Sequence, residues 1–327
     1  MINAFWRIAA VGVATAGLAT AYGADEGLSW LTRMANASSV VNYSGTFVYH
    51  NRGTSETSRV VHFVNPAGGV FERLEALDGP AREVIRTNDQ VTCYLPSIKT
   101  VRIEQRNAKL VPGLLPENLA GIGESYRVRL GGIDRVAGHE CQIVVLEPKD
   151  SLRYGRDFCA ELKSGLPLRV RTISGRNEGL EAFAFTQLTI GGSFRRDRVM
   201  SKYASKSHKW RVDRSALSLV EREVETGWAV TRQPPGFRKL LEVKRSIAGR
   251  AGAVAQIIFS DGLAAISVFI EPIPGKRPVQ TLTHQGAVNI YTRPLADQLV
   301  TVLGEAPAAT IMQIGNSLER RSGAAAR

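Results

Sequence analysis

The 327-residue chain has no CxxC pair and no cysteine–histidine cluster at metal-ligand spacing, which leaves no sequence basis for a metal centre. Its histidines, His50, His62, His139, His208 and His284, are scattered, and none stands in an HExxH or beside a nucleophile elbow. Gly121-Ile122-Gly123 is a lone GxG without the further glycine and helix that a phosphate-binding turn requires. Acidic residues such as Glu72 and Glu75 fall on alternating strand-like segments and read as a solvated face. No constellation for catalysis emerges, so neither enzyme activity nor a cofactor is expected. Long apolar runs are scarce too. The segment Ile8–Ala21 is too short and too rich in Ala and Gly for a comfortable membrane span.

What is present suits a globular protein of two domains: 44% hydrophobic and 22% charged residues, with 31 Gly and 14 Pro, which imply no large disordered region. The balance is basic, at +12, which fits nucleic acid, an anionic lipid surface, or solubility alone. The N-terminus discriminates. Residues 1–24 read as a signal peptide: Arg7 is the sole charge, an apolar stretch follows, and Ala19-Thr20-Ala21 satisfies the small-x-small cleavage rule. Cleavage after Ala24 is the second option, and an uncleaved anchor the alternative to both. No cysteine lies near the cleavage site, which excludes lipoprotein processing. Export removes nucleic acid from the partners.

Cys141 and Cys159 would then meet an oxidising compartment. Both lie in strand-like segments joined by Lys149-Asp150-Ser151-Leu152. A hairpin centred between Asp150 and Ser151 pairs residues whose numbers sum to about 301, and these two sum to 300, so they face each other across two strands. A disulfide and two buried thiols both fit this reading. Cys93 is left over.

Asp25–Ala37 has an apolar stripe at Leu28, Leu31, Met34 and Ala35, which predicts a short amphipathic helix. Strands separated by turn residues follow from Val41 to Gln105 at about ten-residue spacing, then Tyr126–Leu130, Glu140–Pro148, Arg153–Glu161, Leu166–Ile173 and Gly179–Ile190. These predict one large antiparallel sheet that either closes or curves over a helix, and Asp25–Ala37 is available to cover it. Residues 193–208 carry an excess of Lys and Arg and read as a solvated basic linker. A smaller α+β unit is expected over 209–320, with a disordered tail at 321–327. Its strands are placed at 218–225, 228–232, 254–259, 264–271, 287–292 and 298–303, and its helix at 307–319. At its centre, Ile257–Pro272 (IIFSDGLAAISVFIEP) reads as a buried hairpin turning at Ser260-Asp261-Gly262, with Ile266, Val268 and Ile270 on one face.

Six blocks now carry a resemblance: Trp30–Tyr49 (WLTRMANASSVVNYSGTFVY), Gly113–Ala120 (GLLPENLA), Pro148–Tyr154 (PKDSLRY), Gly165–Pro167 (GLP), Ser260–Glu271 (SDGLAAISVFIE) and Val300–Ile314 (VTVLGEAPAATIMQI). In this order they run over nearly the whole expected mature chain, which resembles the RseB/MucB family of periplasmic regulators of the envelope-stress sigma factor. Two departures stand out: the basic linker, and Phe158-Cys159 where an apolar-aromatic pair followed by Asp is expected. The resemblance implies that 25–192 is mainly β, a curved antiparallel half-barrel of the lipoprotein-carrier (LolA/LolB) type with covering helices and a lipid-sensing role. It implies that the protein binds the periplasmic domain of a single-pass anti-sigma factor and shields it from site-1 proteolysis. An acylated lipid such as lipopolysaccharide then releases it.

A concave apolar cavity would take acyl chains, and the candidates to line it are Trp30, Met34, Tyr43, Phe47, Phe63, Leu115 and Leu119. Core packing alone explains each of these equally well. For an acidic partner segment the candidates are Arg238, Lys239, Lys244, Arg245 and Arg250 in GFRKLLEVKRSIAGR, against a solvated basic edge as the alternative. A periplasmic lipid or lipoprotein carrier is the competing function; the second domain argues against it. Homo-oligomerisation is left open.

Overall fold

The computed structural model describes residues 18–321 apart from 52, 106–109, 112–114, 116–118, 120, 193–195, 215–223, 247–252, 274 and 276–277, and without the side chains of 18–25, 196, 245 and 246. Most of the expected signal segment, most of the expected strand at 218–225, residue Arg250 and the tail beyond 321 lie outside the described residues. Helix α1 runs over Leu18–Val40, longer at both ends than the apolar stripe predicts. Its buried side is Leu31, Met34, Ala35, Ala37 and Ser38, whereas Leu28 at the expected stripe edge is 38% exposed.

Twelve strands build one sheet: β1 (Tyr43–Asn51), β2 (Thr54–Val64), β3 (Val70–Ala76), β4 (Glu83–Thr87), β5 (Gln90–Leu95), β6 (Thr100–Gln105), then, after the single turn α2 (Ile122–Ser125), β7 (Tyr126–Val136), β8 (His139–Pro148), β9 (Gly155–Glu161), β10 (Pro167–Ile173), β11 (Gly179–Ile190) and β12 (Arg211–Asp213). Their order is β12-β6-β5-β4-β3-β2-β1-β11-β10-β9-β8-β7, antiparallel except for the short parallel pair β12–β6. Strands β11 and β7 stand four places apart, about 19 Å in a flat sheet, yet they touch. The sheet is therefore a half-barrel, and α1 packs inside it against β2, β7, β8 and β10. The two layers share one core, in which Leu31 and Met34 meet Tyr43, Phe47, Val144, Leu146, Phe158, Phe183 and Phe185.

The expected basic linker is exposed along most of its described length, but Ser201 and Lys202 are held against the sheet. Glu75 and Glu83 are direct cross-strand partners on β3 and β4, a like-charge pairing that is unfavourable unless a cation lies between. Lys202 supplies it, with Nζ 2.6 Å from Glu75 Oε1 and 3.7 Å from Glu83 Oε1. Ser201 Oγ donates to Glu83 at 2.5 Å and Arg73 adds a 2.7 Å contact. Burial pushes the Glu75 carboxyl up, but Lys202, Arg73 and Arg59 outweigh it and hold its pKa below the usual value. Nor is Glu72 solvated: it is 1% exposed and pairs with Arg86 at 3.2 Å. Alternation alone could not reveal this, because both faces of a curled sheet are covered along part of its length.

The smaller unit is a six-stranded sheet in the order β14-β15-β16-β19-β18-β17, formed by β14 (Arg238–Ser246), β15 (Ala253–Ser260), β16 (Ala265–Pro272), β17 (Thr281–Gln285), β18 (Val288–Leu295) and β19 (Gln298–Gly304). The expected hairpin is β15–β16, with Ile266, Val268 and Ile270 fully buried. Helix α3 (Ala308–Asn316) lies on β18 and β19. Gly315 permits the close approach: a Cβ there would fall 2.7 Å from the Tyr291 ring. The helix ends three residues earlier than expected. Ser317 caps it, and Leu318–Arg320 (β20) pairs instead with Trp228–Val230 (β13).

Candidate functional site

The two units meet along a seam built from two of the blocks that carry the resemblance. The first is the β8–β9 connection, Lys149–Tyr154, which is longer than the expected hairpin loop and takes Arg153 and Tyr154 out of the strand. The second is the β15–β16 turn at Ser260-Asp261-Gly262. Arg153 Nη1 donates to Asp261 Oδ2 at 2.9 Å, with side chains 1% and 0% exposed. Asp150 takes two further bonds from the same guanidinium at 3.0 Å, and the Pro235 carbonyl accepts another at 2.6 Å. Phe237 and Tyr126 rings lie 5.2 and 5.7 Å from its carbon.

Asp261 holds its own turn at the same time: Oδ1 accepts from the backbone N–H groups of Leu263 and Ala264 at 2.9 and 2.8 Å, while Tyr126 donates its hydroxyl to Oδ2 at 3.0 Å. Burial lowers the Arg153 pKa, but Asp150 and Asp261 outweigh it and raise it overall; burial, then Asp261, raises that of Tyr126. A buried pair of this kind is expensive to break on one side. Removing either partner costs on the order of 3–5 kcal/mol, because the other charge is left buried and unpaired.

Further bonds extend the seam. Thr310 Oγ1 donates to Leu152 O at 2.8 Å, Asn289 to the Tyr154 hydroxyl at 2.9 Å, and Ala287 N to Glu181 at 2.9 Å, and Arg156 pairs with Glu305. At Gly236, φ is +79° and a Cβ would fall 2.4 Å from Ser125 Oγ, so both conformation and space require glycine there. Nothing local in the sequence signals Arg153 and Asp261 as partners, since they stand 108 residues apart.

The residues expected to line a lipid cavity come together. Met34, Tyr43, Phe47 and Leu115 are buried in the core between α1 and the sheet, and Trp30 and Leu119 pack on it part-buried. Phe63 is 8% exposed and borders a separate void of about 30 Å³ beneath Val199, beside the Tyr43 ring. Among the described residues most of them belong to one apolar core. An open cavity of about 670 Å³ lies instead at the turns β7–β8 and β9–β10, lined by Arg135, His139, Glu140, Glu161, Lys163 and Ile190 among others. One wall is tied to α1, whose Arg33 donates to Leu162 O at 2.9 Å and stacks on Trp30 at 4.1 Å. Glu161 is already engaged by Ser164 N and Oγ, both at 2.6 Å. These donors, with other backbone bonds, outweigh burial and lower its pKa.

The expected basic patch is a strand, β14, at the edge of its sheet. Arg238 reaches across the seam to Glu124 at 3.3 Å, and Lys239 pairs with Glu242 at 2.6 Å. Lys244 is exposed, and the side chains of Arg245 and Arg250 lie outside the described residues. Two of the five cations are thus used within the molecule.

Cys141 and Cys159 are joined, with Cα atoms 5.2 Å apart. They are not direct partners: Cys141 opposes Glu161 and Cys159 opposes Ile143, so the bridge runs diagonally. The longer β8–β9 loop moves the register by two from a direct Cys–Cys pairing. Cys93 stands outside this bridge and is half-buried.

Half-barrel, inner helix and seam together define a two-domain protein in which a curved, apolar-filled sheet is locked by buried polar bonds to a small α+β unit. The sequence profile of the MucB/RseB N-terminal domain matches residues 26–203, and that of the MucB/RseB C-terminal domain matches residues 222–319. The chain belongs to the MucB/RseB family, a family of regulatory proteins and not of enzymes. It is 31% identical over 307 residues to the sigma factor AlgU regulatory protein MucB of Pseudomonas aeruginosa, covering 92% of this chain and 93% of that one. With the sigma-E factor regulatory protein RseB of Escherichia coli it shares 22% over 292 residues, covering 88% and 89%. The complex of P. aeruginosa MucA and MucB superposes with a TM-score of 0.74 at 28% identity, over 91% of this chain and all of that one. A crystal structure described as MucB superposes at 0.65 with the same identity, over 91% and 99%.

Proposed function

We propose that this protein is a periplasmic negative regulator of an extracytoplasmic-stress sigma factor, which binds the periplasmic domain of a membrane anti-sigma factor and shields it from site-1 proteolysis. The observation that carries this reading is the end-to-end match to MucB, whose solved complex contains the periplasmic part of MucA. The closer superposition on the complex than on the structure described as MucB supports a domain arrangement suited to the partner. The exposed side chain of Lys244 on β14 and the seam beside it are the surfaces proposed for an acidic partner segment.

Release by an acylated lipid is the second part of the proposal. The described candidate lining is buried against α1, so acyl chains enter as α1 lifts from the sheet. The cavity lined by Arg135, His139 and Lys163 adjoins the Arg33 bonds that pin α1, and offers cations to a phosphorylated headgroup there. A lipid that binds the lifted state, against a partner that binds the closed one, couples the two sites.

A disulfide staple tests this. A Cβ on Gly27 of α1 would lie 3.2 Å from Val128 Cβ on β7, just under the usual separation of about 3.5–4.5 Å. Oxidised Gly27→Cys/Val128→Cys is expected to bind the anti-sigma periplasmic domain normally but to resist its displacement by lipopolysaccharide, and dithiothreitol is expected to restore displacement. Unimpaired displacement from the oxidised staple contradicts the lifting of α1.

A further inference from the structure

We propose that the β6–β12 end of the half-barrel is a docking surface for an anionic phospholipid bilayer. This rests on that surface alone and not on the regulatory reading above. Strand β12 lies parallel to β6, with Arg211 N bonded to Lys99 O at 2.9 Å, and so brings Trp210–Arg214 beside the Ile98-Lys99 turn. Three aliphatic side chains on this end and the turn leading to it stand in water: Ile98 is 63% exposed, Met200 51% and Val212 45%. Trp210 is half-buried and packs against Tyr203, ring centroids 5.8 Å apart.

Between residues 198 and 214 the chain has six basic residues and one acidic one, Asp213, which pairs with Arg102 at 3.5 Å. Lys202 is spent on Glu75 and Glu83. Lys99, Lys206, Lys209 and Arg211 are exposed and have no acidic partner among the described residues. Exposed aliphatic side chains, a half-buried indole and phenol, and exposed lysine and arginine close by in the chain are the composition of an interfacial membrane contact. An acidic peptide would use the cations but leave the aliphatic tips in water, so the bilayer fits better.

Each cation near an anionic leaflet strengthens binding by about fivefold, and the attraction decays within a Debye length, about 10 Å at 0.1 M salt. Four such cations with three apolar tips make a reversible attachment, not an anchor.

Co-sedimentation of the purified protein with phosphatidylcholine vesicles, with and without phosphatidylglycerol, reads this directly. Binding is expected to the mixed vesicles only, and to fall with added salt. Lys206→Glu/Lys209→Glu/Arg211→Glu should weaken it on the order of a hundredfold. Ile98→Ser/Val212→Ser, which keeps every charge, should weaken it several-fold. Reversal of three exposed cations elsewhere, Arg127→Glu/Arg176→Glu/Arg232→Glu, should leave most of it intact; circular dichroism checks that each variant is folded. Equal loss in the two triple variants would overturn the proposal in favour of diffuse net charge. Vesicle binding untouched by the Lys206 set, with loss of anti-sigma binding in its place, would overturn it in favour of a protein partner.

Discussion

A single carboxylate, Asp261, does two jobs at once: it closes the β15–β16 turn through two backbone N–H bonds and receives Arg153 from the other unit. Asparagine could close the turn but could not neutralise the guanidinium. Glu242 plays the same part within the smaller unit. Its buried carboxylate accepts from Thr226 N and Oγ1 at 2.7 Å, from Lys239 at 2.6 Å and from Arg321 at 3.0 Å. Burial raises its pKa, yet these donors overcome burial and lower it from 4.5 to about 2. Its stabilisation is therefore complete above about pH 4.5 and is lost as pH falls through about 2. The shift corresponds to roughly 3 kcal/mol at neutral pH. Glu242→Gln is expected to lose about that much stability in urea melts at pH 7, with the difference from wild type shrinking to near zero at pH 2. A difference independent of pH would show that charge at Glu242 is not what stabilises the site.

At the scale of elements, legibility followed burial. The hairpin β15–β16 and most strands of the half-barrel could be read because one face of each is apolar at period two. Strand β14 could not: in Arg238–Ser246 only Glu242 and Val243 are buried among the described side chains, so it read as a charged patch. Strand β17 is exposed at all five positions and offers no alternation at all. The Cys141–Cys159 bridge was legible to within its register, because pairing arithmetic depends on the loop length and that loop is longer than its turn residues suggested. The bridge braces the two strands that present Arg153. With its ends 18 positions apart in sequence it contributes about 3 kcal/mol by limiting the unfolded chain. Cys141→Ala/Cys159→Ala should lower the urea midpoint accordingly, and dithiothreitol should shift the wild type but not the variant. A wild type insensitive to reductant would mean that the thiols are unbridged in solution.

At the scale of the molecule, the seam was the least legible feature. Each of its halves reads locally as a turn, and only the assembled fold shows that Pro148–Tyr154 and Ser260–Glu271 are one site. Its content is polar and buried, which makes the domain arrangement specific rather than merely adhesive: Arg153 finds its full set of partners in one geometry only. For the clamp proposed above such a joint is useful, since losing a few bonds at the seam frees the two units to shift. The most direct measurement is digestion of the anti-sigma factor's periplasmic domain by its site-1 protease, with and without this protein. The account predicts that an equimolar amount of wild type protects the domain and that Asp261→Ala, folded by circular dichroism, protects it markedly less. Cleavage at the same rate with and without the wild-type protein would contradict it.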